Sequence, residues 1–304
     1  MNQTRKYFFV GLNTGFVVDR RPDRRCFEFY AARSGNGLHC AIVGNVTIPG
    51  GVGTNDSTAE ISDHPAWGEL ANSIRASGAV AGIQLATVWP SYRGMKNFVS
   101  RASADEISRY REKVRPIGVY DIERFFCAVQ AGGDLAIKAG FGHIQLHAAH
   151  GYVLSLLIDR RIYPQADVVL AAVADWAARC ASCGIETSIR VSLRTGDTAF
   201  DATGREAFLD QIASLPVGYV DLSSGFYEID KRLIYPSLAS IVKQRREETV
   251  AMANRHKHRK FIFSGKALTT IKSNLPCNID VGICRDLIAN PNYLRDKDHG
   301  CNNA

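Results

Sequence analysis

The 304-residue sequence has no apolar run near the roughly 20 residues that span a bilayer, so nothing in it reads as a membrane helix. Its opening, Met1-Asn-Gln-Thr-Arg-Lys6, leads into no apolar segment closed by a small-residue cleavage site. A cytoplasmic location is therefore expected. The eight cysteines form no compact framework of the secreted kind, and free thiols suit a reducing compartment. The one C-x-x-C, Cys180-Ala-Ser-Cys183, has no second pair. It lies in an Ala-rich helical stretch, and a buried helix face is expected there rather than a redox or metal pair. No Ser or Cys sits in a nucleophile elbow. No paired carboxylates suited to glycoside hydrolysis stand out. No G-x-G-x-x-G follows the first strand-like run. The net charge of +7 comes with no aromatic platform or module for nucleic acid. Its densest patch, Arg255-His-Lys-His-Arg-Lys260, reads as a solvated helix end, since cations suit a helix C-terminus. A docking site for an anionic cofactor or partner is the alternative.

What is present is an alternation. An apolar share of 46% and a charged share of 22% are those of a globular chain. Strand-like runs are expected at 7–12, 39–43, 80–85, 141–146, 187–192, 219–223, 260–264 and 279–283. Helical stretches stand between them: 27–34, 64–77, 103–114, 121–138, 167–182, 205–214 and 237–254, with Asp121 a plausible N-cap. Eight strands with intervening helices predict an α/β chain folded as a single-domain (β/α)8 TIM barrel over 1–304. An open doubly wound sheet is the runner-up. A long excursion at about 87–120 follows the third strand and carries Trp89, Tyr92 and Arg93. Loops of that length are usually functional.

The most informative stretch is Ala139-Gly-Phe-Gly-His-Ile-Gln-Leu-His-Ala-Ala-His-Gly-Tyr-Val-Leu-Ser155. Gly140 ends a helix, and the apolar run to Leu146 is a buried strand. His147, His150 and Tyr152 then fall at that strand's C-terminal end, where parallel α/β proteins bind ligands. Two imidazoles and a phenol can donate hydrogen bonds to a carbonyl and give up a proton. The bland alternative is that His-x-x-His is a chance pair satisfied within the structure. A metal site lacks an obvious third ligand, so none is expected. The other strand ends carry Asn13, Thr14, Asn45, Gln84, Arg190, Ser224, Gly265, Lys266, Cys284 and Arg285. This set is rich in amide and cationic donors and poor in carboxylates. It suits a large anionic cofactor such as flavin mononucleotide (FMN), with glycine and arginine at the phosphate. Arg190, inside a strand of branched residues, needs an anion or a carbonyl cluster.

The stretch from Gly140 to Ser155 resembles the fourth-strand signature of the Old Yellow Enzyme family of FMN-dependent NAD(P)H oxidoreductases. In order along the chain, Phe9 to Gly15 resembles its first-strand flavin segment. Gly82-Ile-Gln-Leu85 resembles its glutamine motif, and Ile189-Arg-Val-Ser192 its arginine motif. Ser264-Gly265 and Cys284-Arg-Asp-Leu-Ile-Ala-Asn-Pro291 resemble its two phosphate segments. The resemblance implies that His147 and His150 hold the electron-withdrawing oxygen of an activated alkene, and that Tyr152 is the proton donor. It implies that Gln84 and Arg190 bind the flavin's pyrimidine edge, with His147 close by. Asn13, with Thr14, and Asn45 would flank the ring, and Gly265, Lys266, Cys284 and Arg285 would meet the phosphate. Trp89 and Tyr227 are expected to touch substrate beside His147, His150 and Tyr152. NADH or NADPH would be the reductant. The expected partner is a small molecule, neither nucleic acid nor membrane, with self-association left open.

The chain also departs from the family. Asp159-Arg-Arg-Ile-Tyr-Pro-Gln-Ala-Asp167 replaces the usual Asn-x-Arg-x-Asp-x-Tyr-Gly-Gly run. Ala86 stands where a His usually follows the glutamine motif, and Cys284 stands where a Gly usually precedes the arginine. Of the iron–sulfur motif of larger members only Cys301 is present, so no cluster is expected. Two other readings stay open: a metal-dependent lyase or hydrolase using His147 and His150, and a cofactor-free barrel serving as a partner subunit.

Overall fold

The computed structural model describes residues 5–92, 105–266 and 275–296. Eight parallel strands close into a barrel: β1 (Tyr7–Phe9), β2 (Cys40–Thr47), β3 (Val80–Ala86), β4 (His143–Ala148), β5 (Glu186–Ser192), β6 (Tyr219–Ser223), β7 (Phe261–Phe263) and β8 (Ile279–Ile283). Each pairs with the next in chain order, and β8 pairs with β1. Helices cross between them, among them Ala66–Ala76, Val119–Ala139, Ala166–Ser182, Arg205–Ser214 and Ala239–Arg255. The expected (β/α)8 barrel is the observed fold. Arg93, the start of the helix expected at 103 and Cys301 lie outside the described residues. No described helix is long and apolar enough to cross a membrane.

The strands alternate with period two, and the two sets of residues separate cleanly. Phe9, Ala41, Val43, Ile144, Leu146, Ile189, Val191, Val220, Leu222, Val281 and Ile283 pack into one large cluster with buried helix residues such as Trp67, Leu70, Val173 and Trp176. Phe8, Val10, Cys40, Ile42, Tyr219 and Ile262 form a second, smaller cluster from β1, β2, β6 and β7. Apart from Tyr219, the intervening positions of β4 to β6 are polar, and Gln84 of β3 joins them: His143, Gln145, His147, Ser188, Arg190, Asp221 and Ser223 are all buried, as is Gln84. The barrel therefore has an apolar half and a hydrogen-bonded half. The polar half leads to the C-terminal rim.

Several boundaries differ from expectation for local reasons. The first helix runs Arg24–Ala31 rather than 27–34, because the Asp23 carboxylate accepts from Arg25 N (2.9 Å) and starts it earlier. The helix expected from Asp121 begins at Val119, and Asp121 sits inside its first turn, accepting from Gly118 N at 3.0 Å. Gly140 closes that helix at φ 91°, a conformation that costs a residue with a Cβ. Strand β2 continues past Gly44-Asn45, with a register shift against β3 between Val43 and Val46. In the C-x-x-C, Cys180 is buried as expected, but Cys183 lies beyond the helix end and is exposed. The basic patch is partly paired rather than simply solvated. Arg255 Nε and His256 Nε2 approach Asp210 at 2.8 and 2.7 Å.

Candidate active site

The C-terminal rim opens into a cleft of about 1010 Å³. Asn13, Thr14, Asn45, Gln84, His147, His150, Tyr152, Arg190, Tyr227, Gly265, Lys266, Cys284 and Arg285 all line it. Thus thirteen residues nominated from sequence converge on one cavity. Trp89 and Ser224 do not line it: Trp89 packs against the core, and Ser224 is buried with its carbonyl accepting from Arg245.

Each wall follows from the strand that supplies it. Gln84 and Gln145 are register partners on β3 and β4, and Gln84 Nε2 donates to Gln145 Oε1 at 2.5 Å. Gly44 leaves the space that Gln84 fills, since a Cβ there would lie 2.7 Å from Gln84 Cβ. Arg190 stands in register with Asp221 on β6, and its guanidinium donates to that carboxylate. Its other nitrogen donates to Ser223 Oγ at 3.2 Å. Asp221 also accepts from Gln145 Nε2 (3.2 Å) and Ser264 Oγ (3.1 Å), so the buried charge is fully answered. The anion that Arg190 needs is therefore partly internal.

The two imidazoles stand 5.0 Å apart, centroid to centroid. Burial first, then the charge of Arg190, pushes His147 down to about 3. Burial also holds His150 well below its usual value, with His147, Arg190 and Arg245 adding to the effect. Both are neutral near pH 7. His147 Nδ1 accepts from Ala149 N at 3.3 Å, so its proton is on Nε2. Tyr152 lies stacked on His147 (4.2 Å, 15°) and meets Tyr92 edge-on at 5.4 Å. Burial raises its phenol well above 10, so it keeps its proton at neutral pH. Tyr227 stacks 6.2 Å from Tyr152 and shares a 2.6 Å hydrogen bond with Tyr235. Three further tyrosines thus surround the proposed donor.

At the opposite end, Arg245 rises from the helix Ala239–Arg255 and is only 3% exposed. It donates to the carbonyls of Ser264, Ser224 and Leu233, and its Nε has no partner among the described residues. Burial, then repulsion from Arg190, lowers it to about 9. Gly265, at φ 96°, lies against it, and a Cβ there would be 2.5 Å from Nη1. Arg285 and Lys266 line the same end. A buried guanidinium with an unanswered Nε, beside two more cations and a glycine, fits the phosphate of a flavin mononucleotide. The amides and Arg190 fit the polar edge of its ring.

Sequence reasoning missed Asp221, Ser223, Arg245, Tyr92 and Tyr235 as site residues. Arg245 had a faint signal. It shares a helix face with Thr249, Met252 and Ala253, at helical spacing. Among the described residues no group of three or more His, Cys, Asp or Glu could hold a metal ion.

A closed β/α barrel with a donor-rich C-terminal rim is the class that fold and site define. No protein-family model matches the chain. The Old Yellow Enzyme of Pichia sp. AKU4542 superposes on it with a TM-score of 0.68, over 96% of this chain and 83% of that one, at 14% identity. The resemblance read from the motifs is thus matched at the level of fold. Two curated relatives, the NADPH dehydrogenases of Geobacillus thermodenitrificans (strain NG80-2) and Geobacillus sp. (strain WCH70), are each 37% identical over 101 residues. That match spans 31% of this chain and 28% of each relative's length.

Proposed function

We propose that the chain is an FMN-binding oxidoreductase of the Old Yellow Enzyme type, reducing a small activated alkene at the expense of NADPH or NADH. The observation that carries this reading is the convergence of His147, His150 and Tyr152 with Gln84, Arg190 and the Arg245–Gly265–Arg285 cluster on one cleft. Gln84 and Arg190 would hold the pyrimidine edge, Asn13, Thr14 and Asn45 would flank the ring, and Gly265, Lys266, Cys284, Arg285 and Arg245 would hold the phosphate. Bound flavin would supply the hydride.

The chain's own contribution is binding, polarisation and a proton. Neutral imidazoles donate to the substrate's carbonyl oxygen without adding charge that water would have to solvate. Their two hydrogen bonds strengthen as negative charge develops on that oxygen. Arg190, paired to Asp221 yet lining the cleft, keeps a fixed positive charge where an anionic ring edge would sit. Tyr152 gives its proton to the α-carbon. A raised phenol pKa keeps that proton in place until a strongly basic carbon appears. A small-molecule substrate, a cytoplasmic site of action and a single barrel domain over 1–304 belong to the same proposal.

The test is kinetic. Tyr152→Phe lowers alkene turnover by ~100-fold or more, on the usual scale of general acid catalysis, and leaves flavin reduction by NADPH within a few-fold. Stopped-flow separation of the two half-reactions reads both. An equal loss in each would remove Tyr152 from the proton step, and protein that binds no flavin would remove the whole reading.

A further inference from the structure

His150 is held in an unusual way. Its backbone lies at φ 66°, a left-handed conformation that costs a residue with a Cβ. Gly151 follows at φ 83°. Two backbone contacts keep it there. Its N–H donates to Ser192 Oγ at 3.1 Å, and its carbonyl accepts from Tyr227 N at 3.2 Å. Ser192 in turn has the Gly225 carbonyl as acceptor at 3.2 Å, so its hydroxyl is fully used. Among the described residues the imidazole itself has one polar contact, Nε2 to Ser223 Oγ at 2.8 Å.

That hydroxyl is shared. Arg190 also reaches Ser223 Oγ, at 3.2 Å, and a guanidinium can only donate. Ser223 therefore accepts from Arg190 and has its own proton left to give. An oxygen that accepts from a cation becomes a better donor, and the nearest acceptor is His150 Nε2. Arg190 cannot turn away, because Asp221 holds its other nitrogen. The chain of donation runs from Arg190 to Ser223 to His150.

We propose that Ser223 is a positioning residue that fixes His150 as the Nδ1–H tautomer, leaving Nδ1–H as the donor for a bound carbonyl. His147 is set in the opposite tautomer by Ala149 N–H, with Nε2–H as donor. The pair then offers one proton from each ring. Without Ser223, His150 would divide between tautomers, and only part of the population would present a donor to substrate. The kinetic part of this inference rests on the oxidoreductase reading above. The tautomer part does not.

The experiment uses the full chain labelled with 15N-histidine. Two-bond 1H–15N correlation spectra report which ring nitrogen carries the proton in each histidine, and His150→Asn assigns the signals. The expected result for the native protein is Nδ1–H at His150 and Nε2–H at His147, with or without flavin. Ser223→Ala shifts His150 toward the other tautomer, and Ser223→Thr keeps the native one. Nε2–H at His150 in the native protein overturns the proposal without any variant. An unchanged tautomer in a folded Ser223→Ala protein does the same. In turnover, Ser223→Ala raises KM for the alkene by ~5- to 10-fold, the scale of one lost hydrogen bond, and Ser223→Thr restores it. A normal KM with an altered tautomer would overturn the link to substrate while leaving the tautomer assignment standing. Failure to turn over any alkene, with the expected spectra, would count against the oxidoreductase reading alone.

Discussion

Arg245 shows how much one buried side chain can say about a ligand. A guanidinium that is 3% exposed normally has a carboxylate within reach, yet among the described residues its hydrogen bonds run to three carbonyls and its Nε to nothing. Asp221 and Glu248 favour its charged form, while Arg190 and Arg285 oppose it. A dianionic phosphate beside it would relieve that repulsion. Charge-assisted hydrogen bonds contribute about 1.5–3 kcal/mol, so Arg245→Met weakens FMN binding by ~10- to 100-fold. Riboflavin, which lacks the phosphate, keeps its affinity. Fluorescence titration of both ligands measures the difference. A similar loss for both would mean that the guanidinium only ties the ends of β6 and β7 together.

At the scale of elements, the inner faces of β4, β5 and β6 form a ladder of hydrogen bonds along the barrel axis. Glu186 accepts from His143 Nδ1 (2.8 Å), and His143 Nε2 meets Ser188 Oγ (2.7 Å). Ser188 accepts from Gln145 Nε2 (2.9 Å), which also reaches Asp221 (3.2 Å). Asp221 then holds Arg190 at the level of the cleft. Removing one member of such a buried ion pair costs ~3–5 kcal/mol, because the partner is left unanswered. Asp221→Asn therefore lowers the urea midpoint sharply, and Arg190→Gln in the same chain recovers part of the loss. Strictly additive effects of the two changes would show that the pair is not coupled. The barrel itself was legible in the sequence, since alternating strands and helices admit few folds. So were the strand-end residues, because the C-terminal end of a parallel strand is a fixed place for ligands. Asp221 was not, although it sits in a clear strand. Its role depends on the register that sets it beside Arg190, and register is a relation between strands that one strand's sequence does not carry. Trp89 erred the other way. An aromatic residue in a long excursion reads as a substrate contact, but here it covers the core.

The whole molecule carries an acid liability that follows from the same site. His147 and His150 both have folded pKa values far below the ordinary 6.5, and in the unfolded chain they return to it. Below pH 6.5 the unfolded chain binds protons that the folded one refuses, so stability is full above 6.5 and is lost as pH falls. For His147 the loss continues down to about 3. Each such histidine contributes a slope of about 1.4 kcal/mol per pH unit in that window, against a total stability of roughly 5–15 kcal/mol. Glu186 adds a second phase. Burial alone would raise its carboxyl, but hydrogen bonds from His143 and His39 outweigh that and hold it well below the usual range. Its contribution is present above about pH 4.5 and fades as pH drops further, by the same linkage. Urea midpoints measured from pH 7.5 to 4 should therefore fall steadily from near 6.5 and more steeply below 4.5. His150→Asn removes one titrating site, so its curve should be shallower than the native one from 6.5 downward, and between 6.5 and 4.5 the difference reads the histidines alone. An equal slope in the upper window would mean that His150 is protonated in the folded protein, and the neutral imidazole pair would have to be abandoned.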